Sequence, residues 1–510
     1  MGWQVFHTGG IMTGSGQKDG PRHVFATLPE TPQRRPDESV AAGRLVVALV
    51  AVIVLCVTVF AVVIGQLFEG GGEYAEPHEA SIGPFEFLVS NALPPGGLVT
   101  IALIALVAVA GAAIAFETIA ALLSVNPKRD MLASLRTPAD DDANAAEDDE
   151  GVRVTILVPA HNEEFSLPVT LAALKKQTRA PDRVIVVADN CTDRTVEIAL
   201  EMGYEAIESV DNEHKKGGAL NQALARILPT SGPRDVIMVM DADTSLSPRF
   251  LEVGAQKFMA DAELSAVGGV FYGEDGNGLI GQFQRNEYAR YSLQIRSRHG
   301  RVFVLTGTAT MFRAEALMDV AAARGVFIPG EAGKVYDTAA LTEDNELTLA
   351  LKSLGATMVS PIECMVTTEI MPTWRNLWVQ RKRWQRGALE NLSAYGITRA
   401  TIRYWGQQVG IGYGTVALNL AILLMLITFL AVDQWIWFPF WLVIGFIFLV
   451  ERVITAWSGG WKARLLAVLL LPELAYDVFL QSVFVKCLID IARAKRTTWG
   501  HVEHTDSATP

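Results

Sequence analysis

The sequence predicts an α/β protein: a doubly wound, mostly parallel sheet with helices on both faces, inserted between N- and C-terminal transmembrane helices. Three observations predict it. Short β-branched runs alternate with helical stretches through residues 152–371, two long apolar runs precede that block, and more apolar runs follow it. Half of the 510 residues are hydrophobic and the mean hydropathy is +0.27, too apolar for an ordinary soluble chain.

In chain order, residues 1–44 are rich in Gly, Pro and polar residues, so a disordered cytoplasmic N-terminus is expected. Residues 45–124 hold the apolar runs 45–67 and 98–123, each long enough to span a bilayer. The first begins too deep and runs too long for a cleaved signal peptide, so it reads as an anchor. Arg34, Arg35 and Arg44 precede it, the loop 68–97 has no Lys or Arg, and Lys128, Arg129 and Arg136 follow the second run. Positive flanks face the cytoplasm, which places segment 151–395 there, in a multi-pass membrane protein. Residues 125–151 form a linker whose stretch "PADDDANAAEDDEG" repels itself and stays solvated.

"VTILVPA" (154–160), "RVIVVAD" (183–189) and "DVIMVMDAD" (235–243) are unbroken apolar strands. "SLPVTLAALKKQ" (166–177) and "TVEIALEMG" (195–203) are the helices between them. In such sheets ligands bind beyond the carboxyl ends of the strands. Here those ends carry "AHNEE", "DNCTD" and "DAD", where a nucleotide should sit.

Asp241 and Asp243 lie two apart at a strand end, so both carboxylates can face one spot. They suit a hard divalent cation, Mg²⁺ or Mn²⁺, shared with substrate phosphates, although an Asp-rich turn would look the same. Asp189, directly at its strand end, is the better candidate for gripping a base or ribose, whereas Asp193 suits turn or cap chemistry. In "HKKGGALNQAL" (214–224) Lys216 can reach a phosphate while Gly217 and Gly218 permit close approach. "LTEDNEL" (341–347) looks in part like a helix cap at Thr342. An enzyme that activates a hydroxyl also needs a carboxylate base, and Asp344 or Glu343 could serve.

"WVQRKRWQRG" (378–387) puts four positive charges into six positions of a chain of net charge −12. On a helix, Gln380, Arg383, Trp384 and Gly387 share one side. Arg381, Lys382, Gln385 and Arg386 share the other, where a membrane-facing role is expected. The four cysteines (Cys56, Cys191, Cys364, Cys487) have no paired or metal-ligand spacing, so free thiols are expected. Residues 372–408 should be interfacial helices. Residues 409–490 hold about three spans (409–431, 435–450, 465–489), and 491–510 form a tail. Five spans in all would leave "ARAKR" (492–496) outside, against the positive-inside tendency. The last run also carries Pro472, Glu473 and Asp477, so it could be a functional or partly interfacial segment.

"VPAHNEE", "DNCTD", "HKKGGALN", "DAD", "TED" and "QRKRW", in this order and between spans, resemble the processive membrane glycosyltransferases of family 2, the cellulose, chitin, hyaluronan and poly-N-acetylglucosamine synthases. The resemblance covers about residues 150–395. It is strongest to bacterial poly-N-acetylglucosamine synthases, through "GRVFVLTGTATMFRAEAL" and "MPTWRNLWVQRKRWQRG". It implies a GT-A-type fold and an inverting, metal-dependent transferase that polymerises a sugar from a UDP-sugar, with UDP-GlcNAc the leading donor. By position, Asp189 matches the uracil-binding aspartate and Glu163 helps hold the nucleoside. Lys216 lies near the diphosphate. Asp241 and Asp243 match the metal-dependent pair, with Asp243 the more direct ligand. Asp344 matches the base of the Thr-Glu-Asp motif, and Gln380, Arg383 and Trp384 match the Gln-x-x-Arg-Trp motif. The implied partners are the donor, a growing glycan or a lipid acceptor, the bilayer and an export or accessory protein; no nucleic acid is expected. A nonprocessive transferase acting on a lipid is the rival enzyme reading, and a catalytically dead scaffold the rival from another class.

Overall fold

The computed structural model describes residues 76–82, 84–90, 151–297, 300 and 302–494, together with position 51. The expected N-terminal tail, acidic linker and N-terminal spans lie outside the described residues. Seven strands form the central sheet: β3 (Arg153–Ala160), β4 (Arg183–Ala188), β5 (Glu205–Glu208), β6 (Asp235–Met240), β8 (Leu264–Gly268), β10 (Ala309–Arg313) and β11 (Thr357–Val359). Their order is β11-β8-β10-β6-β3-β4-β5. β3 pairs in parallel with β4 and β6, and β4 with β5, whereas β10 runs antiparallel between β6 and β8. One reversed strand in seven keeps the sheet mostly parallel.

The unbroken apolar runs have a simple physical cause. Successive strand side chains point to opposite faces, and here both faces are covered. Val154, Ile156, Val158, Val184, Val186 and Met238 pack with α1 (Leu167–Leu174), α2 (Thr195–Glu201) and α4 (Phe250–Ala260). Leu157, Ile185, Val187 and Ile237 face the other way, onto α3 (Lys215–Ile227), α6 (Ala314–Ala323) and α7 (Glu343–Leu354). β7 (Ser245–Leu246), β12 (Met365–Thr368) and β9 (Val270–Gly273) make a second, small sheet in that order, followed by the long helix α5 (Gly278–Ser297).

Beyond this block come α8 (Trp374–Tyr395), α9 (Ile402–Ala431), α10 (Pro439–Thr455), α11 (Gly460–Leu469) and α12 (Leu471–Ala492). A third sheet orders β1 (His78–Ile82), β2 (Phe85–Val89) and β13 (Ile436–Trp437), tying the loop between the two N-terminal apolar runs to the turn between α9 and α10. Among the described residues, α9 is the helix long and apolar enough to cross a membrane by itself. The stretch expected as a third C-terminal span is broken instead: α11 and α12 meet at 85°.

Candidate active site

The strand ends converge as parallel-sheet topology requires. Asn162 and Asn190, just after β3 and β4, adopt left-handed φ of 58° and 49°, a conformation asparagine tolerates. These turns bring "HNEE" and "DNCTD" together: Thr192 N–H donates to Asn162 Oδ1 at 2.7 Å, and Glu164 N–H to Asp193 at 3.0 Å. Asp193 thus has the turn role its position suggested. Glu163 accepts from Ser166 and lines the cavity beside Asp189.

Asp189 is buried, and three donors converge on its Oδ1: Asn212 at 2.7 Å, Ser209 at 2.8 Å and Asn190 at 3.1 Å. Nothing local in the sequence marks Asn212 or Ser209 for this role. Gly218 corrects an expectation as well. A Cβ there would lie 2.0 Å from Asn212 Oδ1, so this glycine makes room for Asn212, not for a phosphate.

Lys216 follows Lys215, itself left-handed at φ 53°, and projects into the centre of the site. Its Nζ lies 2.6 Å from Asp241 Oδ1 and 3.1 Å from Glu343 Oε1, so one cation joins the Asp-x-Asp turn to the Thr-Glu-Asp helix. Burial alone would lower this ammonium, but Asp241 and Glu343 outweigh it and raise its pKa. Burial raises Asp241 to about 6, with Asp243 and Glu343 adding to the effect and Lys216 opposing it. Glu343 is held low: burial would lift it, and Lys216 and then Arg383 prevail.

Asp344 occupies the first turn of α7. Its Oδ2 accepts the Gly307 N–H at 3.0 Å, and its Oδ1 that of Asn345 at 2.7 Å. Burial and the neighbouring Glu343 push its carboxyl up to about 6, against those two donors and Lys216. Such a group is ionised at pH 7 yet close to its midpoint, as suits a general base. Two residues on, Glu346 forms a fully buried pair with Arg324 (2.5 and 2.8 Å) and accepts from Tyr395 of α8. The same guanidinium donates to Val335 and Pro329 carbonyls, so it fixes the segment that carries Tyr336 behind Lys216.

The Thr342 side chain does not cap α7. Its hydroxyl accepts from Asn391 of α8 at 3.2 Å, and a Cβ at Gly387 would come within 2.4 Å of the same Oγ1. Gly387 therefore lets α8 close onto α7. Gln380, Arg383 and Trp384, one or two turns earlier on α8, line the cavity with Asp344. The opposite face of α8 departs from expectation. Arg381 pairs with Glu287 at 2.9 Å, Lys382 with Asp490 at 2.7 Å and Arg386 with Glu390 at 2.6 Å. Arg381 and Arg386 are buried, so this charge packs against protein and does not face a membrane. Arg381 also lies over the Trp384 ring, 4.3 Å from its centre.

One cavity of about 1040 Å³ joins these groups. It runs from Glu163, Asp189 and Lys216 past Asp241, Asp243, Asp344, Gln380, Arg383 and Trp384 to Tyr404 and Gln408 of α9 and Phe484 of α12. Among the described residues no three His, Cys, Asp or Glu side chains form a ready cage for a metal ion. Asp241 and Asp243 still fit a divalent ion of the kind that takes few protein carboxylates and completes its shell with phosphates. A cation there would relieve the charge that burial penalises. Cys191, Cys364 and Cys487 are free thiols.

Residues 155–321, from β3 through most of α6, match the family model "Glycosyl transferase family 2". The chain carries a family 2 glycosyltransferase domain. It is 32% identical over 250 residues to "Probable glycosyltransferase YdaM" of Bacillus subtilis (strain 168), covering 46% of this chain and 55% of that one. It is 25% identical over 250 residues to "Poly-beta-1,6-N-acetyl-D-glucosamine synthase" of Staphylococcus aureus (strain COL), covering 48% and 56%. The chain thus spans little more than half the length of the curated relatives it matches. Among solved structures, the Pyrobaculum calidifontis mannosyltransferase PcManGT in complex with GDP-Man and Mn²⁺ gives a TM-score of 0.46 at 17% identity, covering 75% of this chain and 99% of that one. The matched residues carry six of the seven strands of the central sheet and the carboxylate-bearing strand ends; β11 and the Thr-Glu-Asp and Gln-x-x-Arg-Trp segments lie beyond them.

Proposed function

We propose that this protein is a membrane glycosyltransferase that transfers a sugar from a UDP-sugar, with inversion, to the growing end of a β-linked polysaccharide, and that it passes the product toward its membrane helices. The observation that carries the reading is the single cavity. It gathers Asp189, Lys216, Asp241, Asp243, Asp344, Arg383 and Trp384 at one end and residues of α9 and α12 at the other. UDP-GlcNAc is the first donor to test, because the Staphylococcus aureus relative is named for a GlcNAc polymer.

Asp189, held by Ser209 and Asn212, would orient the uridine, with Glu163 beside it. Lys216 and Arg383 would neutralise the diphosphate, Arg383 with a fork of donors suited to paired phosphate oxygens. Asp243 and Asp241 would hold a divalent ion, which would supply positive charge to the leaving diphosphate. Asp344 takes the proton from the acceptor hydroxyl as that oxygen bonds to the sugar anomeric carbon. The bond from that carbon to the phosphate oxygen breaks, and UDP leaves with the electron pair. Trp384 offers a flat surface to the acceptor ring. Membranes containing the protein, incubated with labelled UDP-sugars and Mg²⁺ or Mn²⁺, should yield a long polymer from one donor. Short glycolipid products would favour the lipid-acceptor reading, and full activity in EDTA would remove the metal.

A further inference from the structure

The C-terminal helices pose a problem of length and charge. α9 has 30 residues and so rises about 45 Å, more than the roughly 30 Å of a bilayer core. α10 has 17 residues, about 26 Å, with Leu442, Val443, Phe446 and Phe448 exposed. Between them β13 pairs with β2. Since β1 and β2 lie between the N-terminal apolar runs, the loop joining those runs and the turn joining α9 to α10 lie together.

α12 behaves differently. Near its start, Glu473 accepts from Asn286 (3.2 Å) and from Arg290 (2.7 and 2.6 Å) of α5. Tyr476 donates to Glu287 of α5 at 2.7 Å, and Phe479 packs edge-on against Trp374 and Trp378 of α8. Near its end, Asp490 pairs with Lys382 of α8. Both ends of α12 therefore rest on α5 and α8, the helices beside the active-site cavity, and a helix held there at both ends cannot carry one end across a bilayer core. Its carboxylates are satisfied there: the Glu473 and Asp490 side chains are only 5% and 2% exposed. In lipid each would be costly.

α11, perpendicular to α12, has the composition of a helix lying in a membrane surface. Trp461 is 68% exposed, Leu465 and Leu469 are exposed, and Lys462 and Arg464 stand beside them, with Arg464 over the Trp457 ring.

We propose that α11 and α12 form a membrane-surface elbow: α11 docks in the cytoplasmic lipid interface, α12 clamps the catalytic domain, and the C-terminal region crosses the membrane only twice. The chain then leaves the membrane on the cytoplasmic side. This rests on the reading that the catalytic domain is cytoplasmic, and it accounts for "ARAKR" (492–496), which a third span would place outside.

The test uses the full chain with Cys56, Cys191, Cys364 and Cys487 replaced by Ala and one cysteine introduced, Ser81→Cys in β1 or Ala494→Cys after α12. A membrane-impermeant maleimide should label Ser81→Cys in intact spheroplasts and Ala494→Cys only after permeabilisation. Labelling of Ala494→Cys in intact spheroplasts would establish a third crossing and overturn the proposal; labelling of neither would remove the crossing by α9 and overturn it too. If the cysteine-free chain fails to fold, phosphatase or fluorescent-protein fusions after Pro510 of the unaltered chain report the same side. For α11, Leu465→Cys carrying an environment-sensitive dye in nanodiscs should emit as in lipid and be quenched by nitroxide lipids; water-like emission would overturn the docking. None of these readouts depends on sugar transfer, so their failure is separable from failure of the proposed activity.

Discussion

Asp344 is where chemistry and stability pull apart. Its carboxyl is pushed up to about 6, so the folded protein holds that proton more tightly than an unfolded chain would. The associated stabilisation is present at low pH and is lost as pH rises toward and through 6. At pH 7.5 the ionised carboxylate costs stability, and in the proposed role of base it would support turnover. Asp344→Asn should cut turnover by about 10²–10⁴-fold while leaving UDP binding nearly intact, and lower the melting temperature modestly because the amide nitrogen cannot accept one of the two backbone N–H groups that Asp344 holds. The parental rate should fall as pH drops below about 6. Steady-state kinetics across pH 5–8, with thermal unfolding of both proteins, check this; parental turnover in the variant would move the base to Glu343. Trp384 makes the complementary case. Trp384→Ala should shorten the product while UDP release from short acceptors persists, because the ring contributes a surface and not a charge. Product sizing in membranes of matched protein level decides it.

At the scale of elements, two helices meet through one missing side chain. Gly387 has only a hydrogen where a Cβ would meet the Thr342 hydroxyl at 2.4 Å and its methyl at 2.7 Å. Gly387→Ala must push α8 away from the start of α7, separating Arg383 and Trp384 from Asp344. Overpacking of this kind costs about 1–3 kcal/mol, and a 1 Å displacement of catalytic groups costs up to about 10²-fold in rate. The expected outcome is a loss of turnover of about that size with donor KM changed far less, measured by initial rates. An unchanged rate would show that α8 and α7 need not approach so closely. The Thr-Glu-Asp and Gln-x-x-Arg-Trp segments were legible as motifs. Their common boundary was not, because it depends on which residue of one helix lies opposite which residue of another.

For the whole molecule, the joint between the catalytic domain and the C-terminal helices combines aromatic packing with a buried ionic network. Glu473 receives Asn286, Arg290 and, at 3.3 Å, Arg452 of α10, while Arg452 also reaches Asp477 at 2.9 Å. Removing one partner of a buried network leaves uncompensated charge and costs about 3–5 kcal/mol. Glu473→Ala should therefore shorten the half-life of activity in detergent markedly, with Glu473→Gln milder because the amide still accepts from Arg290. Thermal inactivation of the purified variants tests this. Parental half-lives for both would make the network ornamental.

The sequence alone determined what is encoded within one segment. Burial of both faces along β3, β4 and β6 required unbroken apolar runs, so a mostly parallel, doubly covered sheet could be read without any long-range information. Polar residues at the carboxyl ends of those strands marked the site for the same reason: a parallel sheet leaves its ligands nowhere else to bind. Tertiary structure decided everything that depends on partners distant in sequence. Asp189 is held by Asn212 and Ser209, Lys216 is shared between Asp241 and Glu343, and Arg324 is buried against Glu346. Hydropathy left 465–489 open between a span and a partly interfacial segment, because an apolar helix packed on a protein face and one immersed in lipid have nearly the same composition. What separates them is whether Arg290 and Lys382 stand opposite Glu473 and Asp490. Periodicity cannot carry that fact, since a buried charge is tolerated only where folding brings its counter-charge.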